Sequence, residues 1–148
     1  MRLTVFTDYA LRVLMYLELN PERRVTIRDV AEAYGISRNH LMKVVNKLTR
    51  AGLVDASRGV NGGLALARPA ASITVGEVVR STEDDLALVE CFRADNQCVI
   101  TPECELKRVF GKAQAAFLAA LDEKTIADLM VQRRKLASRL KVASLTPA

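Results

Sequence analysis

Residues 26–69 read TIRDVAEAYGISRNHLMKVVNKLTRAGLVDASRGVNGGLALARP, and the order of elements in this stretch decides the fold. Thr26 with Asp29 three residues on forms a capping arrangement that opens a short helix through Tyr34, with Ile27, Val30, Ala31 and Tyr34 on one face. Gly35 permits a sharp turn, and Ser37 is expected to cap another helix that runs through Ala51 and stops at Gly52. Two helices joined by a glycine-containing turn form a helix-turn-helix signal. Ile36, Leu41, Val44, Val45 and Leu48 supply the buried stripe of the second helix, leaving Arg38, Asn39, His40, Lys43 and Lys47 on the other side. Most such polar stripes are ordinary solvated faces. At the N-terminal end of a second helix, however, Arg and Lys can meet phosphate or guanine and Asn can pair with adenine.

Beyond Gly52, Leu53 to Ser57 and Leu64 to Ala67 are β-prone runs predicted to pair as a hairpin, with Asn61, Gly62 and Gly63 accepting the positive φ of the turn. A hairpin after a helix-turn-helix is a wing. Arg58 near its tip can enter a minor groove or hold phosphate, and Arg58 and Asn61 join the helix face as candidate DNA contacts. Arg68 flanks the hairpin. The glycine turn lacks the GK[ST] ending of a mononucleotide-cradling loop.

Outward from this module, Leu3 to Leu19 reads as a helix with Phe6, Ala10, Val13, Leu14 and Leu17 at three- and four-residue steps. Thr7 is the predicted cap, and Asp8 a first-turn acid favoured by the helix dipole. Downstream, Thr74 and Glu77 form a second capping box, for a helix to about Arg80. Ser81 to Ile100 reads as irregular. Thr101-Pro102 is expected to start a long helix with Cys104 in its first turn. Leu106, Val109, Phe110, Ala113, Ala116, Phe117, Ala120 and Leu121 line that helix, and a run to Leu121 spans about 30 Å. So long a stripe beside so small a domain is better used against a copy of itself, and a two-fold dimer would match a palindromic DNA site. Thr125 is expected to cap a last helix to about Lys141 with Arg133, Arg134 and Lys135 solvated, and residues 143–148 to fray.

Charge supports the division of labour. The net charge is +5. Residues 1–70 hold 11 Lys and Arg against 6 Asp and Glu, whereas residues 71–148 hold 11 against 11. The excess sits on the DNA-reading half. From Glu83 to Glu105 seven acids face Arg93 alone, so this segment is unsuited to polyanion contact.

That acidic segment holds all three cysteines, Cys91, Cys98 and Cys104. An odd count cannot close completely into intramolecular disulfides, and no secretory signal precedes them, so a reducing, cytoplasmic setting is expected. Zinc prefers C-x2-C pairs and four protein ligands, and neither is present. Loosely spaced thiolates suit an iron-sulfur cluster, whose fourth ligand need not be Cys. The same thiols also fit small buried hydrophobes or redox groups. His40 lies far in sequence from them and is not expected to join a metal site. No window is apolar enough for a membrane span, and no nucleophile triad or carboxylate pair points to an enzyme.

FTDYALRVLMYL, GISRNHLMKVVNKLTRAGLV, SRGVNGGLALARP, ITVGEVVR and the cysteine loop together closely resemble the Rrf-type winged-helix repressors, and among them the nitric-oxide-sensing (NsrR-type) branch. The resemblance covers about residues 1 to 130. It implies a mostly α fold with a small β-hairpin wing: a winged helix-turn-helix over 1–80, a cluster loop over 81–104, a dimerisation helix over 102–122, and a C-terminal helix and tail over 123–148. It also implies a homodimer whose Cys91, Cys98 and Cys104 bind an iron-sulfur cluster, with Asp8 of the partner subunit as fourth ligand. The donor set serves 4Fe-4S, which is favoured, or 2Fe-2S. Lys107 stands where the related regulators of cluster biogenesis carry a histidine. The implied role is repression of nitric-oxide detoxification genes, relieved by nitrosylation. The alternatives are a cluster regulator answering to iron supply or redox state, and, from another class, an electron-transfer protein.

Overall fold

The computed structural model describes residues 2–142. Its first helix, α1 (Val5–Leu19), runs through the centre of the core and buries Ala10, Val13, Leu14 and Leu17. The cap lies one turn earlier than predicted: extended Thr4 accepts the Thr7 N–H at 3.3 Å. Thr7 is instead fully buried. A buried hydroxyl needs partners, and Thr7 donates to Glu83 Oε1 at 2.5 Å and lies 2.8 Å from the Thr82 hydroxyl. Glu83 also accepts from the Thr4 N–H (2.7 Å) and Thr4 hydroxyl (2.9 Å), so a carboxylate sits on the positive end of α1.

Helix α2 (Ile27–Tyr34) carries the complete capping box, with Asp29 N–H to Thr26 Oγ1 at 3.1 Å and Thr26 N–H to Asp29 Oδ2 at 2.8 Å. Gly35 takes a φ of 66° at the turn, and α3 (Arg38–Arg50) follows. Ser37 stands at its N-cap position, but the hydroxyl makes no capping bond; burial of Ile36 and of Leu41, Val44, Val45 and Leu48 seats the helix.

The wing is the antiparallel pair β1 (Val54–Ser57) and β2 (Gly63–Leu66), in register Val54↔Leu66 to Ser57↔Gly63. Val25 bridges Leu64 on the far side. Positive φ falls on Gly59 (106°) and Gly63 (141°), rather than on Asn61 or Gly62. Gly62 is required for another reason: a Cβ there would stand 2.6 Å from the Ser57 carbonyl oxygen.

Helix α4 (Val75–Thr82) runs to Thr82, two residues past the predicted end. Only half of its capping box forms. Thr74 accepts the Glu77 N–H at 3.0 Å, while the Glu77 carboxylate pairs with Arg68, which also donates to the Ser72 carbonyl. Arg68 therefore braces the base of the wing. The longest helix, α5 (Glu105–Asp122), has no buried residue; Asp122 ties its end to Arg80 (2.5 Å) and Thr74 (3.3 Å) of the α4 region.

The predicted Thr125–Lys141 helix is broken into a 3-10 turn (Ala127–Met130) and α6 (Arg133–Arg139). Thr125 and Asp128 cap the turn reciprocally. Ile126, Ala137 and Val142 are buried with the core of the helix-turn-helix. Arg133 is not solvated: it donates to the Glu18 carboxylate (3.0 Å) and carbonyl (2.6 Å), holding α6 on α1. Residues 143–148, expected to fray, lie outside the described residues. No helix among the described residues is long and apolar enough to cross a membrane.

Glu83 carries a pH-dependent share of this architecture. Burial pushes its carboxyl up, but the bonds from Thr7 and Thr4 outweigh this and leave it below the usual value. A lowered carboxyl stabilises the fold above its unfolded pKa of about 4.3, and this contribution is lost as pH falls through the folded value. Glu83→Gln is expected to cost about 1–2 kcal/mol at neutral pH. Urea melts should show the gap to the native chain closing below about pH 4.

Candidate nucleic-acid interface and cysteine segment

The inward stripe of α3 determines what its outward face holds. Directly opposite Leu41, Val44, Val45 and Leu48 stand Asn39, Lys43, Asn46 and Arg50, all exposed. Arg38 is exposed at the start of the helix. His40 and Lys47 lie on the flank nearest α1. The His40 ring is 6.5 Å from that of Tyr9. Lys47 is engaged within the chain: its Nζ stands 5.7 Å over the Phe6 ring, donates to the Thr82 carbonyl at 3.1 Å and pairs with Asp84. Of the residues assigned to DNA from sequence, Lys47 is thus the one withdrawn from the open face. Asn46 and Arg50 were missed, although they follow Asn39 at helical steps of seven and eleven. On the wing, Arg58, Val60 and Asn61 are exposed. Arg24 fixes the wing base by pairing with Asp55 and donating to the Gly63 carbonyl at 3.2 Å.

The cysteine segment is a string of short turns held through its backbone. Asp85 accepts from the Ala87 N–H (2.7 Å) and pairs with Arg93 (2.8 Å). These contacts hold its carboxyl below the usual range, the backbone N–H contributing most. Cys91 lies in the 3-10 turn Glu90–Phe92. The Cys98 N–H donates to Asn96 Oδ1 at 3.0 Å, and its carbonyl accepts from the Thr101 hydroxyl at 2.8 Å. Cys104 is the N-cap of α5 rather than a first-turn residue. Thr101–Glu103 closes a separate 3-10 turn, leaving Cys104 extended (φ −80°, ψ 105°) before the helix begins.

All three cysteines are free and half-buried, and no sulfur is used in a hydrogen bond among the described residues. Among those residues no three His, Cys, Asp or Glu side chains converge at metal-binding distance. Asp8 is on the exposed side of α1 in an ion pair with Arg12 (2.8 Å). One chain therefore does not bring Cys91, Cys98, Cys104 and Asp8 together. In chemistry the donors fit an iron-sulfur cluster: three soft thiols, none of them engaged in a hydrogen bond among the described residues.

Helix α5 divides its apolar stripe between two sides. Phe110, Gly111, Phe117 and Leu121 are half-buried, whereas Leu106, Val109, Ala113, Ala116 and Ala120 are exposed. Leu106 and Val109 are 58% and 55% exposed, an unfilled apolar face on a helix of 18 residues.

Comparison with known proteins agrees with this architecture. Residues 3–132 match the family model Rrf2, described as iron-dependent transcriptional regulator. The chain is 48% identical over 143 residues to the HTH-type transcriptional regulator NsrR of Geobacillus kaustophilus, covering 95% of this chain and 97% of that one. It is 47% identical to NsrR of Bacillus licheniformis, covering 93% and 100%. Among solved structures it is similar to T. potens IscR (TM-score 0.71, 26% identity, 89% and 88% covered) and to CymR, the global cysteine regulator of B. subtilis (TM-score 0.70, 25% identity, 87% and 95% covered). With the family model matched over residues 3–132 and a relative 48% identical along nearly the whole of both chains, the chain belongs to the Rrf2 family of transcriptional regulators.

Proposed function

We propose that this chain is a DNA-binding repressor that senses nitric oxide through an iron-sulfur cluster and controls nitric-oxide detoxification genes. The observation that carries the reading is continuity: the segment with the three free thiols begins at residues 82–84, which are bonded to the start of α1 and to α3. A change at the thiols is thereby placed one short segment from the DNA-reading helix.

Two copies pair through the exposed face of α5, where Leu106 and Val109 meet their counterparts, and the paired α3 helices enter successive major grooves of a palindromic operator. Asn39, Lys43, Asn46 and Arg50 face the bases and phosphates, with Arg38 and His40 beside them. Arg58 and Asn61 of the wing meet the neighbouring backbone. Cys91, Cys98 and Cys104, with the partner subunit's Asp8, would hold the cluster, 4Fe-4S in preference to 2Fe-2S. When bound, it supplies iron to which nitric oxide can ligate in place of a protein donor. The partner subunit's Asp8 would be the harder and weaker donor of the four. With the donors no longer held together, residues 82–104 would not tie α1, α3 and α5 into one arrangement, and the DNA-competent dimer would lose population.

The test is anaerobic purification followed by assay of iron and sulfide, with operator duplex selected from randomised DNA by the protein itself. Affinity is expected to fall about tenfold or more on nitric oxide treatment. Asp8→Ala should still bind iron but lose it faster to a chelator. Equal operator affinity before and after nitric oxide would refute the reading. Loss of binding on iron depletion alone would favour a regulator of iron supply.

A further inference from the structure

Between α3 and the C-terminal end of α4 lies a cleft of about 600 Å³, lined by Phe6, Lys43, Asn46, Lys47, Arg50 and Ser81. The lining carries three cations and no acid. One carboxylate reaches it from outside, that of Asp84, paired with Lys47. The Thr82 carbonyl, at the negative end of α4, holds the same ammonium from a second side. Lys43 and Arg50 have no ion pair among the described residues. The Asp84 side chain is 93% exposed, so water screens the pair and it does little for the fold. What the pair does do is remove from the α3 flank a cation that a duplex would otherwise meet.

We propose that this cleft is a seat for a backbone phosphate of duplex DNA and that Asp84 is its built-in competitor for Lys47. The proposal rests on the DNA-binding reading of α3. Asp84 opens the segment that carries the cysteines, and its neighbour Glu83 anchors that segment to Thr4 and Thr7 of the α1 start. Displacement of the thiol segment therefore moves the carboxylate that guards the cleft. In that way the acidic segment, itself unsuited to DNA, would set how strongly α3 grips it.

The test uses the full chain and a mixed-sequence duplex of about 30 base pairs, because phosphate contact is independent of sequence. Affinity is followed by fluorescence anisotropy across a salt series. Asp84→Asn is expected to tighten binding about two- to fivefold, the range of an exposed ion pair. It should steepen the plot of log affinity against log salt by about 0.9, the value of one additional phosphate contact. Asp85→Asn makes the same change of charge one residue on, at a carboxylate paired with Arg93, and should leave the slope unaltered. Lys47→Gln should erase the effect of Asp84→Asn. Equal effects of the two Asp variants, or an Asp84→Asn effect that survives in the Lys47→Gln background, would overturn the proposal. If the native chain binds the duplex and Asp84→Asn changes nothing, only the competitor falls; if no form binds, the DNA reading falls with it.

Discussion

Serine at Cys98 is expected to leave the purified chain with less than about a tenth of its iron and sulfide, since a lost direct ligand should cost at least what a lost outer-shell partner does. The fold should survive. The bonds that place Cys98 run through its N–H, to Asn96, and its carbonyl, from Thr101, and none uses the sulfur. Melting should therefore move by no more than about 0.5 kcal/mol, as for a surface substitution. Operator affinity should become indifferent to nitric oxide, and serine at Cys91 or Cys104 should do the same. Cys104 tests a further point, because it stands at the N-cap position of α5 without a side-chain capping bond: a serine there can accept a helix N–H, so cluster loss without destabilisation is expected even at a helix end. A Cys98→Ser chain that keeps its iron would remove the thiol segment from the sensing role.

The largest loss of stability is expected at Leu41. Its side chain is fully buried in α3, which packs on α1 and α4. Truncation to alanine should cost about 2–5 kcal/mol through lost transfer energy and the cavity left behind. Against a total of about 5–15 kcal/mol for a domain this is severe. The neighbour Met42 is 49% exposed, and Met42→Ala should stay within about 0.5 kcal/mol. Thermal melts of the two variants side by side check the orientation of α3. If Met42→Ala were the more damaging, the outward face assigned to Asn39, Lys43, Asn46 and Arg50 would be wrong by about a quarter of a turn. Duplex binding by Leu41→Ala should fall with the folded fraction, whereas Met42→Ala should stay folded.

Several elements were legible from the chain alone because their signals are local. The Thr26–Asp29 box, the turn at Gly35, the α3 stripe and the existence of the hairpin each depend on residues within a few positions of one another. Three of the misplaced expectations share one cause. Thr7, Glu77 and Arg133 each had a sensible local role as cap, box partner or solvated charge, and each is used instead by a residue outside its own turn: Glu83, Arg68 and Glu18. Local capping energies are about 1 kcal/mol, small enough for a buried or part-buried tertiary partner to override.

By itself the sequence determined the kind of protein: a winged helix-turn-helix with a positive reading half, an acidic segment holding every thiol, and a long helix with an apolar stripe. Periodicity, capping and turn chemistry act over a few residues and need no knowledge of distant contacts. Only the tertiary structure decided that residues 82–84 join the thiol segment to both α1 and α3, that Lys47 is drawn off the open face, and that α6 is stitched to α1 by Arg133. Each of these is a contact between residues more than thirty positions apart, where no pattern along the chain says which cation finds which acid.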